Sequence, residues 1–108
     1  PEPFEADVVT CNYEGRLATT GELFDSAKFF QFGVGNREVI RGWDLAILGG
    51  GDMPPMKVGG TRAIRVPASL AYGSKGAGCR SSGGSTTCVI PPDADLDFTI
   101  TLTKIKGM

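Results

Sequence analysis

The sequence of 108 residues contains no histidine and three cysteines. Without an imidazole, the chain can form no Ser-His-Asp or Cys-His nucleophile system, and it lacks the ligand of most catalytic zinc sites. Its cysteines, Cys11, Cys79 and Cys88, match no CxxC metal spacing. No GxxxxGK[ST] motif occurs, and Gly33 and Gly35 lack the third glycine of a dinucleotide-binding fingerprint. We therefore expect a function that needs no metal, no other cofactor and no covalent nucleophile.

An excess of one charge is also absent, because the chain has 11 basic and 12 acidic residues and a net charge of −1. Surfaces that bind nucleic acid or anionic membranes carry clustered lysine and arginine, so we expect neither partner. No apolar run approaches the length of a membrane span. The chain begins PEPFEADVV, without an initiator methionine or a leader, and we interpret it as a mature or trimmed product. Its length suits a single domain, residues 1–108, which we expect to be monomeric.

Sixteen glycines and seven prolines divide the chain into short segments, which indicates a mainly β architecture. Alternating apolar residues predict strands over residues 6–17, 28–35, 61–66 and 95–105, and Gly21 predicts a turn after the first of them. Helical spacing of Ile40, Trp43 and Ile47 predicts a short helix that ends at Gly49–Gly51. Residues 67–92 are interpreted as one long loop. These elements predict an α+β fold in which a curved antiparallel sheet wraps around one short helix.

Aromatic residues make up only 8% of the chain, and the single tryptophan lies beside Gly42, one turn into the predicted helix. The first turn of a helix leaves backbone N–H groups unpaired. Because an apolar cup with a few polar groups is the usual form of a small-ligand site, Trp43 could form the floor of an open pocket. Tyr13 and Tyr72 could then form its walls and offer hydroxyl donors. The alternative is that these aromatic side chains form only the core.

Four segments resemble the FKBP-type peptidyl-prolyl cis-trans isomerases, the binding proteins of tacrolimus and rapamycin. They are YEGRL…FDS at 13–26, GVGNREVIRGWD at 33–44, MKVGGTRAIRVPASLAYG at 56–73 and IPPDADLDFTITL at 90–102. The resemblance covers nearly the whole chain and implies a half-open antiparallel sheet, a half-barrel, around one short helix. It also implies an enzyme that rotates X-Pro bonds of client proteins without a cofactor, and a pocket that accepts tacrolimus or rapamycin.

The same resemblance assigns roles to individual residues. Trp43 would carry the proline ring of the substrate, Asp25 matches the pocket carboxylate, and Tyr72 matches the hydroxyl donor to a ligand carbonyl. The backbone N–H of Ile40 matches the second donor. The other substrate-binding positions that the family implies are Tyr13, Phe24, Phe30, Val39, Ile90 and Phe98. From the residues alone, Asp25 could instead cap a turn, Tyr72 could be a half-buried core tyrosine, and Val39 and Ile40 could belong to the core.

Two features depart from the family pattern. The segment after FDS is short and has no arginine to pair with Asp25, and Lys28, the only cation nearby, lacks the bidentate fork of arginine. We therefore expect Asp25 to be held less firmly and drug affinity to fall. The first strand of the family is absent or trimmed, which would leave a sheet edge open.

The loop after AYG is longer than usual and contains Cys79 and Cys88. FKBPs of the photosynthetic thylakoid lumen are similar in having a cysteine pair there. This resemblance implies a disulfide and a location in the thylakoid lumen, with the secretory pathway or periplasm as alternatives. The other interpretation of the pair is two unrelated exposed thiols. Cys11 is expected to be a buried free thiol and not a partner-linked cysteine.

Several functions therefore stay open at this level. The first is a prolyl isomerase, and the second is a module that docks a proline-bearing partner with little or no turnover. Redox regulation through Cys79 and Cys88 could be added to either. A carrier of small apolar ligands is disfavoured, because the match to the isomerase segments has no gaps.

Overall fold

The computed structural model describes residues 3, 7–36, 38–50 and 53–106, except for the side chains of residues 82, 85 and 86. In chain order the elements are β1 (Val8–Leu17), β2 (Leu23–Gly33), α1 (Arg41–Leu48), β3 (Thr61–Val66), β4 (Ala77–Ser82), β5 (Ser85–Ile90) and β6 (Leu96–Ile105). Strands β2, β1, β6 and β3 form one antiparallel sheet in that order. The predicted α+β fold, a curved antiparallel sheet around one short helix, is confirmed.

Strand β6 provides much of the core because its side chains alternate strictly between two faces. Leu96, Phe98, Ile100 and Leu102 are at most 4% exposed, whereas the intervening Thr99 is exposed. This period of two places every second side chain on the same face of a strand. Since β6 pairs with both β1 and β3, its apolar face lies at the centre of the sheet. The other core residues include Val9, Cys11, Phe32, Val34, Ile47, Met56 and Ile105.

Strand β2 begins five residues before the predicted strand over 28–35 and ends two residues before its end. The alternation of apolar residues does not reveal the first part of β2, because two irregularities interrupt it. Between Ala27 and Phe30, two residues of β2 face the single residue Asn12 of β1. The Asn12 side-chain oxygen accepts a hydrogen bond from the Phe29 N–H at 2.9 Å. A second register shift follows the Gly15–Asp25 pair. A bulge changes the face of the sheet to which a side chain points. Because of this second bulge, the consecutive residues Phe24 and Asp25 both line the same cavity.

The helix is shorter than the predicted segment and packs closely on the sheet. A Cβ atom on Gly42 would collide with the Val66 side chain, so glycine is required for this approach of α1 to β3. Arg62 Nη1 also donates to the Ala46 carbonyl at 2.6 Å. Gly49 ends the helix with a φ of 83°, as predicted, while residue 51 lies outside the described residues.

The prediction of one long loop over residues 67–92 is wrong. Two short 3-10 turns, Ala68–Leu70 and Gly73–Lys75, are followed by a hairpin of β4 and β5. Gly83 and Gly84 form its two-residue turn with φ values of 56° and 85°. Positive φ at both central residues is what a tight hairpin requires, and a Gly-Gly pair is a recognised signal for it. The glycine- and serine-rich composition is typical of a loop, and the Gly83–Gly84 pair within it is the signal that indicates a hairpin.

Cys79 and Cys88 face each other across the hairpin and form a disulfide. The alternative of two unrelated thiols is therefore wrong. Cys11 is a free, fully buried cysteine of β1, as expected. Within the described residues, β3 is one edge of the four-stranded sheet. The expected loss of a first strand concerns residues before β1, which lie mostly outside the described part.

Candidate functional site

A cavity of about 290 Å³ lies where the start of α1 meets the sheet. Aromatic and aliphatic side chains form most of its wall, with two carboxylates and two tyrosine hydroxyls. Nine of the ten site residues named from the sequence lie in its lining, which consists of Tyr13, Phe24, Asp25, Phe30, Glu38, Val39, Ile40, Trp43, Tyr72 and Phe98. The cavity therefore has the usual composition of a small-ligand site.

Trp43 belongs to both the core and the cavity. Its side chain is only 4% exposed, and its indole lies edge-on to the rings of Tyr13 and Phe98, with centroid distances of 4.7 and 5.3 Å. Its Nε1 atom is buried and has no hydrogen-bond partner among the described residues. The packed rings fix the indole, so the cavity has a rigid aromatic wall before any ligand arrives.

Gly15 makes room for the aromatic rings opposite Trp43. A Cβ atom at this position would come within 2.7 Å of both the Phe24 and Phe98 rings. These two rings meet in a T-shaped arrangement with centroids 5.7 Å apart. Gly15 is not itself in the lining, but its lack of a side chain lets two rings of the lining pack over β1.

Within the described part of the chain, Asp25 is held by a hydroxyl and not by a cation. The Tyr13 hydroxyl donates to Asp25 Oδ2 at 2.6 Å. Burial, this hydrogen bond and the charge of Asp25 raise the pKa of Tyr13 to about 12. Lys28, the nearby cation noted in the sequence, lines a groove on the opposite face of the sheet. The tyrosine thus takes the place of the missing arginine as the partner of Asp25.

Tyr72 lies between the two 3-10 turns and is 40% exposed. Burial, followed by the charge of Asp25, raises the pKa of its hydroxyl. A raised pKa keeps the phenol protonated at neutral pH, so the hydroxyl remains a hydrogen-bond donor. Tyr72 therefore combines an accessible position at the cavity with a stable donor.

Ile40 is the N-cap of α1, with φ −60° and ψ 147°, and its carbonyl accepts from the Trp43 N–H at 3.0 Å. The N–H of an N-cap residue lies outside the hydrogen-bond ladder of the helix. It can therefore serve a ligand in the cavity that Ile40 lines.

Two acidic residues that are not among the predicted site residues support the segment between β2 and α1. Glu38 Oε1 accepts from the Gly33 N–H at 3.1 Å, and Asp44 Oδ1 accepts from the Gly35 N–H at 2.7 Å. Asp44 is only 8% exposed. A signal was available, because an acidic residue directly after Trp43, close to a glycine-rich segment, can bind backbone N–H groups. These bonds hold the segment that carries Val39 and Ile40.

Ile90 is the one predicted site residue that does not line the cavity. It is 4% exposed and belongs to the hydrophobic core at the end of β5.

No group of three or more potential metal ligands occurs among the described residues. The arrangement can enclose a small apolar ring and offer donors to a nearby carbonyl.

Comparison with known proteins identifies the family. The family model of the FKBP-type peptidyl-prolyl cis-trans isomerases matches residues 1–103. The chain belongs to this family. The match includes all four motifs, which lie between residues 13 and 102, and the resemblance stated from those motifs is confirmed.

Individual FKBP relatives agree with this identification. Peptidyl-prolyl cis-trans isomerase FKBP13, chloroplastic, of Arabidopsis thaliana is 45% identical over 104 residues, which cover 93% of this chain and 48% of that protein. Photosynthetic NDH subunit of lumenal location 4, chloroplastic, of the same plant is 42% identical, with 91% and 45% covered. The chain thus spans about half the length of these relatives.

The fold of this FKBP domain is also similar to a solved structure. The crystal structure of AtFKBP13 matches with a TM-score of 0.88 and 43% sequence identity, over 97% of this chain and 83% of that one. No helix in the described residues is long and apolar enough to cross a membrane.

Proposed function

We propose that this chain is a peptidyl-prolyl cis-trans isomerase that rotates X-Pro bonds in client proteins, with the proline ring placed against Trp43. One observation carries the proposal. The buried indole of Trp43 lines an apolar cavity that also holds the accessible hydroxyl donor Tyr72. A proline ring is small and apolar, and the carbonyl of the preceding residue needs a donor. The cavity supplies both.

Rotation of a peptide bond is slow because resonance gives the C–N bond partial double-bond character, with a barrier of roughly 18–20 kcal/mol. The planar ground state is the more polar one and is stabilised by water on its carbonyl. The twisted transition state has lost that resonance. A cavity with aromatic walls removes water from the planar form and holds the proline in a twisted geometry, so it favours the transition state. No covalent step or cofactor is needed.

The polar groups would orient the substrate and transfer no proton. Tyr72 and the Ile40 N–H would donate to carbonyl groups of the bound chain. Asp25, fixed by the Tyr13 hydroxyl at 2.6 Å, would hold the wall of β2 in place. The raised pKa values of Tyr13 and Tyr72 support this assignment, because both hydroxyls keep their protons at neutral pH.

The experiment is NMR exchange spectroscopy on a blocked Leu-Pro peptide with catalytic amounts of oxidised protein. Tyr72→Phe is the matched variant, because it removes only the hydroxyl. We expect faster cis/trans exchange with the native chain and a several-fold smaller acceleration with the variant. If the peptide binds but its exchange stays at the uncatalysed rate, the chain is a docking module and not an enzyme. Among the described residues no lysine or arginine lines the cavity, where the family pattern has an arginine beside Asp25, and this observation favours the second function.

Location and ligands extend the same proposal. The two chloroplastic relatives and the Cys79–Cys88 disulfide support a place in the thylakoid lumen, an oxidising compartment. The secretory pathway and the periplasm are the alternatives. The domain over residues 1–108 would act as a monomer. It would bind tacrolimus or rapamycin weakly, because no arginine in the described part of the chain pairs with Asp25. Calorimetric titration with tacrolimus tests the weak binding, and light scattering tests the monomer.

A regulatory role of the disulfide is a further part of the proposal. The hairpin that Cys79 and Cys88 join follows Tyr72 closely in the chain. Reduction would free this hairpin and change how Tyr72 is held. Exchange rates measured with and without a reductant test it, and equal rates would make the disulfide purely structural.

A further inference from the structure

Among the described residues, the charged groups that line the cavity all have the same sign. Asp25 and Glu38 contribute carboxylates to the lining, and no lysine or arginine is among the lining residues in the described part of the chain. Both acidic residues are exposed. Each has one carboxylate oxygen engaged, Asp25 by the Tyr13 hydroxyl and Glu38 by the Gly33 N–H. These bonds fix the two negative charges without neutralising them.

Three basic residues near the cavity residues in sequence are exposed and are not in the lining, while residue 37 lies outside the described residues. Arg41 follows Ile40 at the start of α1, and Lys75 ends the second 3-10 turn. Lys28 lines the groove on the outer face of the sheet. Hence these cations do not cancel the carboxylates within the cavity.

The aromatic walls add to this preference. Tyr13, Phe30, Trp43 and Tyr72 all line the cavity. The face of an aromatic ring carries partial negative charge and attracts ammonium and guanidinium groups, with tryptophan and tyrosine more effective than phenylalanine. Rings and carboxylates therefore act in the same direction on any charged side chain that enters beside the proline.

From this geometry we propose that the cavity selects proline segments with a lysine or arginine directly next to the proline, and disfavours those with an acidic residue there. The proposal rests on the proposed function, since it assumes that the proline binds against Trp43. It identifies Glu38 as a residue that determines specificity.

The expected preference is modest because the carboxylates are exposed to water. Ion pairs between exposed groups contribute roughly two- to fivefold in an equilibrium constant. Screening by salt should weaken the effect further, since the Debye length falls from about 20 Å to a few ångströms as salt rises from about 0.02 M to about 0.5 M. The salt dependence separates charge selection from differences in side-chain shape.

The test compares blocked peptides Ala-Leu-Pro-Xaa-Ala and Ala-Xaa-Pro-Leu-Ala in which Xaa is lysine, glutamine or glutamate. Catalysed exchange is measured by NMR and divided by the enzyme-free rate of the same peptide. Binding of each peptide is followed in parallel through the fluorescence of Trp43. At low salt we expect lysine to exceed glutamine and glutamine to exceed glutamate, with roughly a three- to tenfold span between lysine and glutamate, because two carboxylates act together.

Two variants locate the effect. Glu38→Gln removes one charge but keeps an oxygen that can accept from the Gly33 N–H, and it should reduce the span. Glu14→Gln makes the same charge change on the outer face, where Glu14 lines the other groove, and should leave the span unchanged. If Glu38→Gln does not fold, the salt series on the native chain replaces it.

The outcomes separate the two proposals. If no peptide is isomerised faster than without protein, the enzyme function fails, and the order of the binding affinities still decides the charge preference. If exchange at low salt is accelerated equally for lysine, glutamine and glutamate in both peptide series, the isomerase stands and the charge selection is overturned. An equal loss of span in Glu14→Gln would also overturn the role of Glu38, because the effect would then come from net charge.

Discussion

The two faces of the sheet carry cavities of similar volume that are lined by different kinds of side chain. The cavity beside the helix measures about 290 Å³ and is lined mainly by aromatic side chains. The groove on the outer face measures about 270 Å³ and has polar residues such as Asn12, Glu14, Thr99 and Thr101 in its lining. The same strands build both, because successive side chains of a strand point to opposite faces. Volume alone therefore does not identify the site, and the chemistry of the lining does.

The largest expected contrast between the faces comes from Trp43→Ala and Thr99→Ala. Removal of the buried indole should lower the free energy of unfolding by about 3–5 kcal/mol. It should also return exchange of a Leu-Pro peptide to the uncatalysed rate. Thr99→Ala on the outer face should change stability by no more than about 0.5 kcal/mol and leave exchange unchanged. Urea unfolding and NMR exchange measure both, and equal effects of the two variants would remove the distinction between the faces.

Alkaline pH should act on the buried side of the sheet through Cys11. Burial raises the pKa of this thiol from 9.0 to about 12. A pKa that is higher in the folded state gives stability that is complete below pH 9 and is lost as the pH rises towards 12. The free energy of unfolding should fall in this window by up to about 1.4 kcal/mol per pH unit. Urea titrations of Cys11→Ala should show a flatter decline, and an identical decline would contradict the assignment to Cys11.

Asp44→Ala should weaken the cavity side without touching a substrate. The variant removes the acceptor of the partly buried Gly35 N–H, which costs about 1–3 kcal/mol of stability. The segment that carries Ile40 should then loosen and raise KM more than it lowers kcat. Asp44→Asn keeps an oxygen acceptor and should restore most of both. If both variants have native KM values, Asp44 has no role in positioning Ile40.

The smallest contrast compares two hydroxyl groups, one on each face. Tyr13→Phe removes the donor to Asp25, and Thr101→Val removes the 2.8 Å hydrogen bond to the Thr61 hydroxyl on the outer face. Each should cost about 1 kcal/mol of stability. Only Tyr13→Phe should slow exchange, by a few-fold, because Asp25 loses its partner. Equal exchange rates in both variants would show that the Tyr13–Asp25 bond is structural.

Much of the fold follows from local patterns in the sequence. The strict alternation of β6 gives its buried face directly, and the spacing of Trp43 and Ile47 gives the helix. Family motifs place most site residues. The hairpin of β4 and β5 could also have been predicted from Gly83–Gly84, since two glycines between short β-prone segments favour a tight turn.

Other features could not be predicted because they depend on contacts distant in sequence. The bulges of β2 that bring Phe24 and Asp25 to one side arise from pairing with β1. The Tyr13 hydroxyl of β1 donates to Asp25 of the neighbouring strand β2, and no local sequence pattern indicates this contact. Ile90 lies in the core and not in the cavity lining, although it ends a hairpin that is separate from the four-stranded sheet, and this position also depends on tertiary packing.

The most direct test of the account is to locate the proline ring on the folded chain. A peptide with a ¹³C-labelled proline is bound in excess, and intermolecular NOEs and ring-current shifts are recorded. The account predicts NOEs from the proline ring to the Trp43 indole, upfield proline shifts, and perturbed amides at Ile40 and Tyr72. Contacts confined to Asn12, Thr99 and Thr101 would contradict it and would place the binding site on the outer face.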